Sequence, residues 1–412
     1  MLPAGSPLSE WLTWLETLHP EEIELGLDRV RKVMQRLDPP VPKHVLLIAG
    51  TNGKGSSVAI AGALLRAAGY RVGSYTSPHV VDYNERIAVG ARLATDDRIV
   101  AAFEKIEAVR GGVPLTYFEY GTLAAFVVFA GADLDVWLLE VGMGGRLDAT
   151  NVIDPTAVLI TNVALDHCNW LGDDVEKIAA EKAGVMRSGI PVVFGARDVP
   201  DAIVAHADAT GARLLLRGRD YSGEDVPRPG LPGEFQRDNA AAVIALLDAA
   251  GLSGATRNDV IASALPAVRL AGRGQSVERD GVEWLLDVAH NPAAAETLAR
   301  TLRADPADGR TVAVIAALDD KDVEGIVAPL DAHVDRWIAV AADSRRAVPA
   351  GELARRIANA CNRPCLIAAS LDRALDEALR EAREGDRLLI TGSFYIVGPA
   401  LQRLGLYSRP QS

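Results

Sequence analysis

Short apolar runs alternate with stretches of helical periodicity along nearly the whole chain, and the alternation breaks once, between residues 213 and 279. This pattern fits a mainly parallel sheet covered by helices on both faces, because a parallel strand needs a crossover before the next can pair with it. Residues 45–49, 72–75, 136–141, 157–163 and 191–194 read as buried strands, and 57–68, 96–109, 121–130 and 175–183 as helices. Residues 213–233 are polar and rich in Gly and Pro, which suits loops or edge strands, and 239–250 returns to a helix. The stretch LAGRGQSVER, 270–279, loses apolar character and carries two glycines, so a domain boundary is placed there. Beyond it the alternation restarts. Strands are expected at 284–288, 311–317, 337–340, 365–368 and 387–391, and helices at 292–303, 323–333, 349–360, 371–383 and after 394. With 412 residues the chain exceeds one ordinary core, and two α/β domains in tandem are expected.

Charge narrows the function classes. The formal net charge is −12 and no basic run or basic-aromatic cluster occurs, which disfavours nucleic acid and anionic membranes as partners. Three cysteines, Cys168, Cys361 and Cys365, make neither a disulfide framework nor a zinc-ligand pattern, and a reducing cytoplasm fits them. No basic segment precedes an apolar stretch at the start, so no signal peptide is expected. The longest apolar region, 123–141, is broken by Asp133 and Asp135 and reads as a buried helix followed by a strand rather than a membrane span.

The first strand runs into AGTNGKGSS, from which a helix follows. Backbone N–H groups and a helix N-terminus in that setting hold phosphate, with Lys54 as a point charge and Gly50, Gly53 and Gly55 allowing close approach. The spacing departs from the usual phosphate-loop pattern, and a strand-to-helix turn with an exposed lysine is the alternative. In TSPHVVDYNERI, Ser77 follows a strand and could ligate Mg²⁺ or simply form a turn. Glu140 ends a strongly apolar strand, where a carboxylate needs a cation: Mg²⁺, or Arg146 through a salt bridge. Asp166 and His167 follow the next strand. Lys54, Ser77, Glu140 and His167 thus all fall beyond successive strands at one sheet edge. Lys182 stands in a last helical turn, which suits the helix dipole. Asp287 in DVAHNP is a ribose or amine ligand or a cap; Arg273 reaches a phosphate across a cleft or is an exposed linker residue.

The ordered set formed by these stretches with WLTWLETLHPEEIELGLDRV, LTYFEYGTLAA, EVGMGGRLDATN, LDHCNWLG, EKAGV, FQRDNAAAV and TGSFYIVG resembles the muramyl-ligase-type ATP-dependent amide ligases. More narrowly, it is similar to the bacterial bifunctional dihydrofolate synthase/folylpolyglutamate synthase family, over nearly the whole chain. The resemblance implies an N-terminal P-loop ATPase domain (1–271, with a pterin pocket), a hinge linker (272–279) and a C-terminal Rossmann-like α/β domain (280–412). It implies a cytoplasmic enzyme of folate and one-carbon metabolism, expected as a monomer, with dihydropteroate, reduced folates, L-glutamate and ATP as small-molecule substrates. Carried over by motif, Thr51, Asn52, Gly53, Lys54, Gly55 and Ser56 cradle the ATP phosphates, and Asn239, Arg273 and Asp287 contact the nucleotide. Ser77, Glu140 and His167 match ligands of Mg²⁺, two ions being expected, with a monovalent cation as a further expectation. Lys182 matches a lysine that becomes N-carboxylysine, an anionic metal ligand; Lys54, Lys182 and His167 would form the catalytic set. Glu24, Leu25 and Gly26, Thr116, Tyr117, Phe118 and Glu119, and Leu147, Asp148 and Ala149 match the pterin-side segments. His290 and Ser393 match the glutamate side. The linker departs from the family, with Ala271 and Gly274 where a proline and a phenylalanine are frequent. The rival readings are a sibling ligase for cell-wall precursors and a P-loop switch controlling a partner; the pterin-side segments argue against the first, and the lack of an Asn-Lys-x-Asp motif against the second.

Overall fold

The structure, a computed structural model, describes Pro3 and residues 5–19 and 24–407. Two sheets organise it. The first contains β1 (His44–Ala49), β2 (Val72–Tyr75), β3 (Ile87–Val89), β4 (Arg92–Leu93), β5 (Val136–Glu140), β6 (Ala157–Ile160), β7 (Pro191–Phe194) and β8 (Arg213–Leu216). Their spatial order is β4-β3-β2-β5-β1-β6-β7-β8, parallel except for the β3–β4 ribbon at one edge. The second contains β9 (Gln275–Arg279), β10 (Val282–Leu286), β11 (Thr311–Ile315), β12 (Arg336–Ala339), β13 (Cys365–Ile367) and β14 (Arg387–Thr391). Its order is β13-β12-β11-β14-β10-β9, with only β9 antiparallel.

The central strand β1 shows why the sequence runs are continuously apolar. Successive side chains point to opposite faces, and both faces are covered. Leu47 joins the core that contains Phe103, Phe126 and Trp137, whereas Leu46 and Ile48 join the core beneath Leu64 and Leu246. Each of these three is fully buried, and each contributes about 1.5–3 kcal/mol through removal from water. The 123–141 region resolves into the helix Tyr117–Ala130 and β5, with Phe126 stacked on Trp137 at 5.6 Å between ring centroids. Among the described residues no helix is long and apolar enough to cross a membrane.

Several expected bounds shift for local reasons. The helix expected from residue 121 starts at Tyr117, because Thr116 and Glu119 cap it reciprocally. The 323–333 helix splits into Val323–Val327 and the 3₁₀ segment Ala328–His333, since Pro329 has no N–H for the α ladder. The expected linker 272–279 is shorter: residues 275–279 form β9, folded onto β10 by a tight turn with Asp280 at φ 53° and Gly281 at φ 74°. Asp-Gly with both φ positive is a hairpin signal that overrides the polar composition of 275–279. The helices Leu8–Leu18 and Asp28–Leu37 and the β3–β4 ribbon lie outside the expected set.

Candidate active site

The loops after β1, β2, β5 and β6 meet at the carboxyl edge of the first sheet, facing the ends of β10, β11 and β14 across a cleft. Gly50–Gly55, Ser77, Glu140, Asp166, His167 and Lys182 line it from one side; Arg273, His290, Lys321, Arg346, Ser393 and Tyr395 are among those that line it from the other. Five basic side chains face two acidic ones there, in a protein of net charge −12. A walled cleft of that sign concentrates polyanions.

The glycine loop is built for close approach. Gly50 has φ 142° and Gly53, the N-cap of the helix Lys54–Ala67, has φ 85°. A Cβ on Gly50 would lie 1.8 Å from Thr161 Oγ1. The loop is pinned from β6's end: Thr51 N donates to Asn162 O (3.0 Å), Asn52 N to Asn162 Oδ1 (3.0 Å), and Thr161 Oγ1 to Asn52 O (2.6 Å). Lys54 is not the exposed lysine of the alternative reading. Its Nζ donates to Gly50 O (2.9 Å) and Thr51 O (3.1 Å), and burial lowers its pKa. Ser56 lies just behind the loop and accepts from Gln236 Nε2 (3.3 Å); Gln236 in turn accepts from Asn239 Nδ2 (3.0 Å). Asn239 thus packs against the loop, its Oδ1 3.0 Å from where a Cβ on Gly53 would stand.

Glu140 is buried, and burial raises its pKa although Lys54 and Arg273 oppose this. Ser77 N donates to its Oε2 (3.2 Å), and the carboxylate faces Gly55. Arg146 is paired with Glu181 instead (2.8 Å), so the salt bridge to Glu140 is not formed. Two hard oxygen donors, Ser77 and Glu140, with no arginine or lysine bonded to them, suit Mg²⁺. Among the described residues no group of three or more His, Cys, Asp or Glu forms a ready metal cluster. A cation here would draw its remaining ligands from phosphate oxygens and water, as Mg²⁺ does.

His167 takes a left-handed backbone (φ 52°) at the start of the short helix Cys168–Leu171. Its Nδ1 is buried without a hydrogen bond and stands 3.6 Å from Asp320 Oδ2 in the second sheet's half. Lys182 does occupy the last turn of Val175–Ala183, but it is buried and turned into the cleft. Burial, helped by the charge of Lys54, brings its pKa down to about 7.

The second half supplies a cross-cleft network. Asp166 Oδ1 accepts from Lys321 Nζ (2.7 Å) and Oδ2 from Asn291 Nδ2 (2.9 Å), with His290 Nε2 at 3.7 Å. Burial alone would raise the Asp166 pKa, but His290, His167 and Lys321 outweigh it and hold the carboxyl well below its usual range. His290 Nδ1 lies 2.8 Å from Val288 O, which fixes the proton there, and burial lowers its pKa to about 4. Arg346 bonds Asp320 (2.7 Å) and stacks over Trp170 at 5.9 Å. Arg273 packs over Phe394 at 5.1 Å, and Ser393 caps the helix Phe394–Arg403. Asp287 is oriented by local bonds, one on each oxygen, from Gly274 N and Ala289 N, both at 2.8 Å, which leaves a further acceptor site on each. That bond explains Gly274, whose φ of 60° would strain a phenylalanine. Lys321, Asp320, Arg346, Asn291 and Trp170 lie outside the residues singled out from sequence. A signal existed for two of them, since LDDK follows β11 as the first-domain groups follow their strands.

The three pterin-side segments also come together beside the cleft. Arg29 joins Glu24 to Glu119 (3.1 Å to Glu119), linking the first segment, with Leu25 and Gly26, to the helix carrying Tyr117 and Phe118. Phe118 lies against Gly142, which also neighbours Asp148. Thr116 and Glu119 use their polar atoms in the capping box, and Asp148 bonds Thr150 and Met143 N (2.9 Å). The polar atoms of these residues are therefore bonded within the segments, leaving the partly exposed Tyr117, Phe118 and Leu147 as apolar or aromatic surface; Ala149, expected with them, is instead buried in the core.

Residues 272–394 match the family profile "Mur ligase, glutamate ligase domain". The chain is 41% identical over 417 residues to dihydrofolate synthase/folylpolyglutamate synthase of Escherichia coli (strain K12), covering 97% of this chain and 96% of the relative. Among solved structures it is similar to E. coli FolC in complex with DHPP and ADP, with TM-score 0.92, 38% identity, and 98% and 99% of the two chains covered. It is also similar to the bifunctional enzyme of Yersinia pestis complexed with AMPPNP and Mn ion, with TM-score 0.90, 39% identity, and 98% and 100% covered.

Proposed function

The chain belongs to the dihydrofolate synthase/folylpolyglutamate synthase family, ATP-dependent glutamate ligases within the Mur ligases, and from that premise we propose that its cleft joins L-glutamate to dihydropteroate and to reduced folates through an acyl phosphate. The observation that carries this reading is the basic cleft closed over a glycine loop, with the aromatic pterin-side wall beside it. The substrate carboxylate attacks the γ-phosphorus of ATP and ADP leaves. The glutamate amine then attacks the activated carbonyl, losing a proton, and inorganic phosphate leaves. Lys54 offsets charge on the transferring phosphoryl group, and the N–H groups at the start of the helix Lys54–Ala67 orient it, those of Thr51 and Asn52 being bonded to Asn162. The second half's approach excludes water, which would otherwise hydrolyse the acyl phosphate.

Ser77 and Glu140 would hold Mg²⁺, with His167 and a carbamate on Lys182 completing a second site; the metal would supply electrostatic stabilisation of the phosphates. A near-neutral pKa at Lys182 supports carbamate formation, since only the free amine reacts with CO₂. Two domains moving about residues 272–274, a monomer, and a cytoplasmic setting without nucleic acid or membrane partners complete the proposal; a monovalent cation belongs to it as well. The test is ATP turnover with dihydropteroate or tetrahydrofolate, with and without L-glutamate. ADP release should require both acceptor and glutamate, and Lys54→Ala should lower it roughly 10²-fold or more. Glutamate-independent turnover at the full rate would reject the ligase reading.

A further inference from the structure

Asn291 is buried to 2% exposure, and every hydrogen-bonding position of its side chain is engaged. Its Oδ1 accepts from Ala294 N (2.9 Å), capping the helix Pro292–Ala304, and from Asn52 Nδ2 (3.1 Å). Its Nδ2 donates to Asn52 Oδ1 (3.0 Å) and to Asp166 Oδ2 (2.9 Å). An amide offers two donors and two acceptor sites, so nothing is left over. The cap fixes which atom is oxygen, and the carboxylate of Asp166 requires the other to be the N–H donor. Three of the four bonds cross the cleft. One end reaches the glycine loop, the other the loop that carries His167.

We propose that Asn291 is a positioning residue for the reaction: it transmits the arrival of the second half to the glycine loop by fixing Asn52 and Asp166 together. This rests on the function proposed above. Lys321 supplies a charged bond to Asp166 at the interface, and Asn291 supplies direction. A neutral amide suits the task because it bonds both partners while leaving the charge of the phosphate region unchanged. Loosening such a support shifts a reacting group by a fraction of an ångström to an ångström, enough for roughly 10²-fold in rate.

Asn291→Ser retains a good helix cap but cannot span Asn52 and Asp166. We expect a kcat lowered roughly 10- to 100-fold, with the Kd for ADP and the melting temperature close to those of the parent. The pair Asp166→Asn with Asn291→Asp reverses the donor and acceptor across the cleft. It should recover at least part of the rate lost by Asn291→Asp alone, in which two carboxylates oppose each other. X-ray scattering with nucleotide bound should show Asn291→Asp more open than the parent, whatever the reaction catalysed. A folded Asn291→Ser with parental kcat, or scattering curves that coincide, would overturn the proposal. Loss of rate through a weaker ADP Kd alone would also overturn it, assigning Asn291 to nucleotide binding. If the parent lacks glutamate-dependent turnover, the function reading fails while the scattering comparison still decides the role of Asn291.

Discussion

At the scale of single residues, Lys182 is the most informative side chain. An ammonium buried beside Lys54 is unfavourable, and its pKa falls to about 7 from an ordinary value near 10.5. The unfolded chain therefore binds a proton there between about pH 7 and pH 10 that the folded chain does not. The cost of burying the charge is fully present below pH 7 and fades as pH rises toward 10. In CO₂-depleted buffer the urea midpoint of the parent should rise over this window relative to Lys182→Met, whose difference from the parent is largest near pH 7. A difference that stays constant from pH 7 to 10 would place the ammonium in a solvated setting. With bicarbonate present, a carbamate would be read from its ¹³C resonance after ¹³CO₂ labelling, and Lys182→Met should lack that signal.

At the scale of elements, helix ends set the wall of the proposed pterin pocket. Thr116 and Glu119 cap Tyr117–Ala130 reciprocally, and Glu119 also holds Arg29 of the helix Asp28–Leu37. Thr116→Ala should cost about 1 kcal/mol, measured by chemical denaturation, and should raise KM for the pteroate substrate more than for ATP. Equal changes in the two KM values would detach the cap from the pocket. The strands were legible because parallel strands covered on both faces must be continuously apolar, as β1 and β5 are. Their order in chain also placed Lys54, Ser77, Glu140 and His167 at one edge. The β9–β10 hairpin carried a local signal in Asp280-Gly281, but the polar sequence of this edge strand masked it and the segment read as a linker. The roles of Asn291 and Lys321 were not legible. Nothing local distinguishes a cap asparagine from one that also bridges a cleft, because the bridge depends on how two separately folded sheets face each other.

At the scale of the whole molecule, the two halves meet through few but buried polar contacts. Lys321 lies between Asp166 (2.7 Å) and Asp320 (3.4 Å), all three side chains nearly inaccessible. Lys321→Met leaves two buried carboxylates without their shared cation, a loss on the order of 3 kcal/mol for the closed arrangement. The radius of gyration of the nucleotide-free variant should exceed that of the parent; identical radii would mean that apolar contacts alone hold the cleft. The segment joining the halves, residues 272–274, is short, since β9 begins at Gln275 and is already paired with β10. A tether of that length keeps the halves at a local concentration on the order of millimolar, so each re-encounter is unimolecular. In the proposed reaction the tether, rather than the strength of any one bond, brings the cleft shut again after product leaves, and the halves never drift apart.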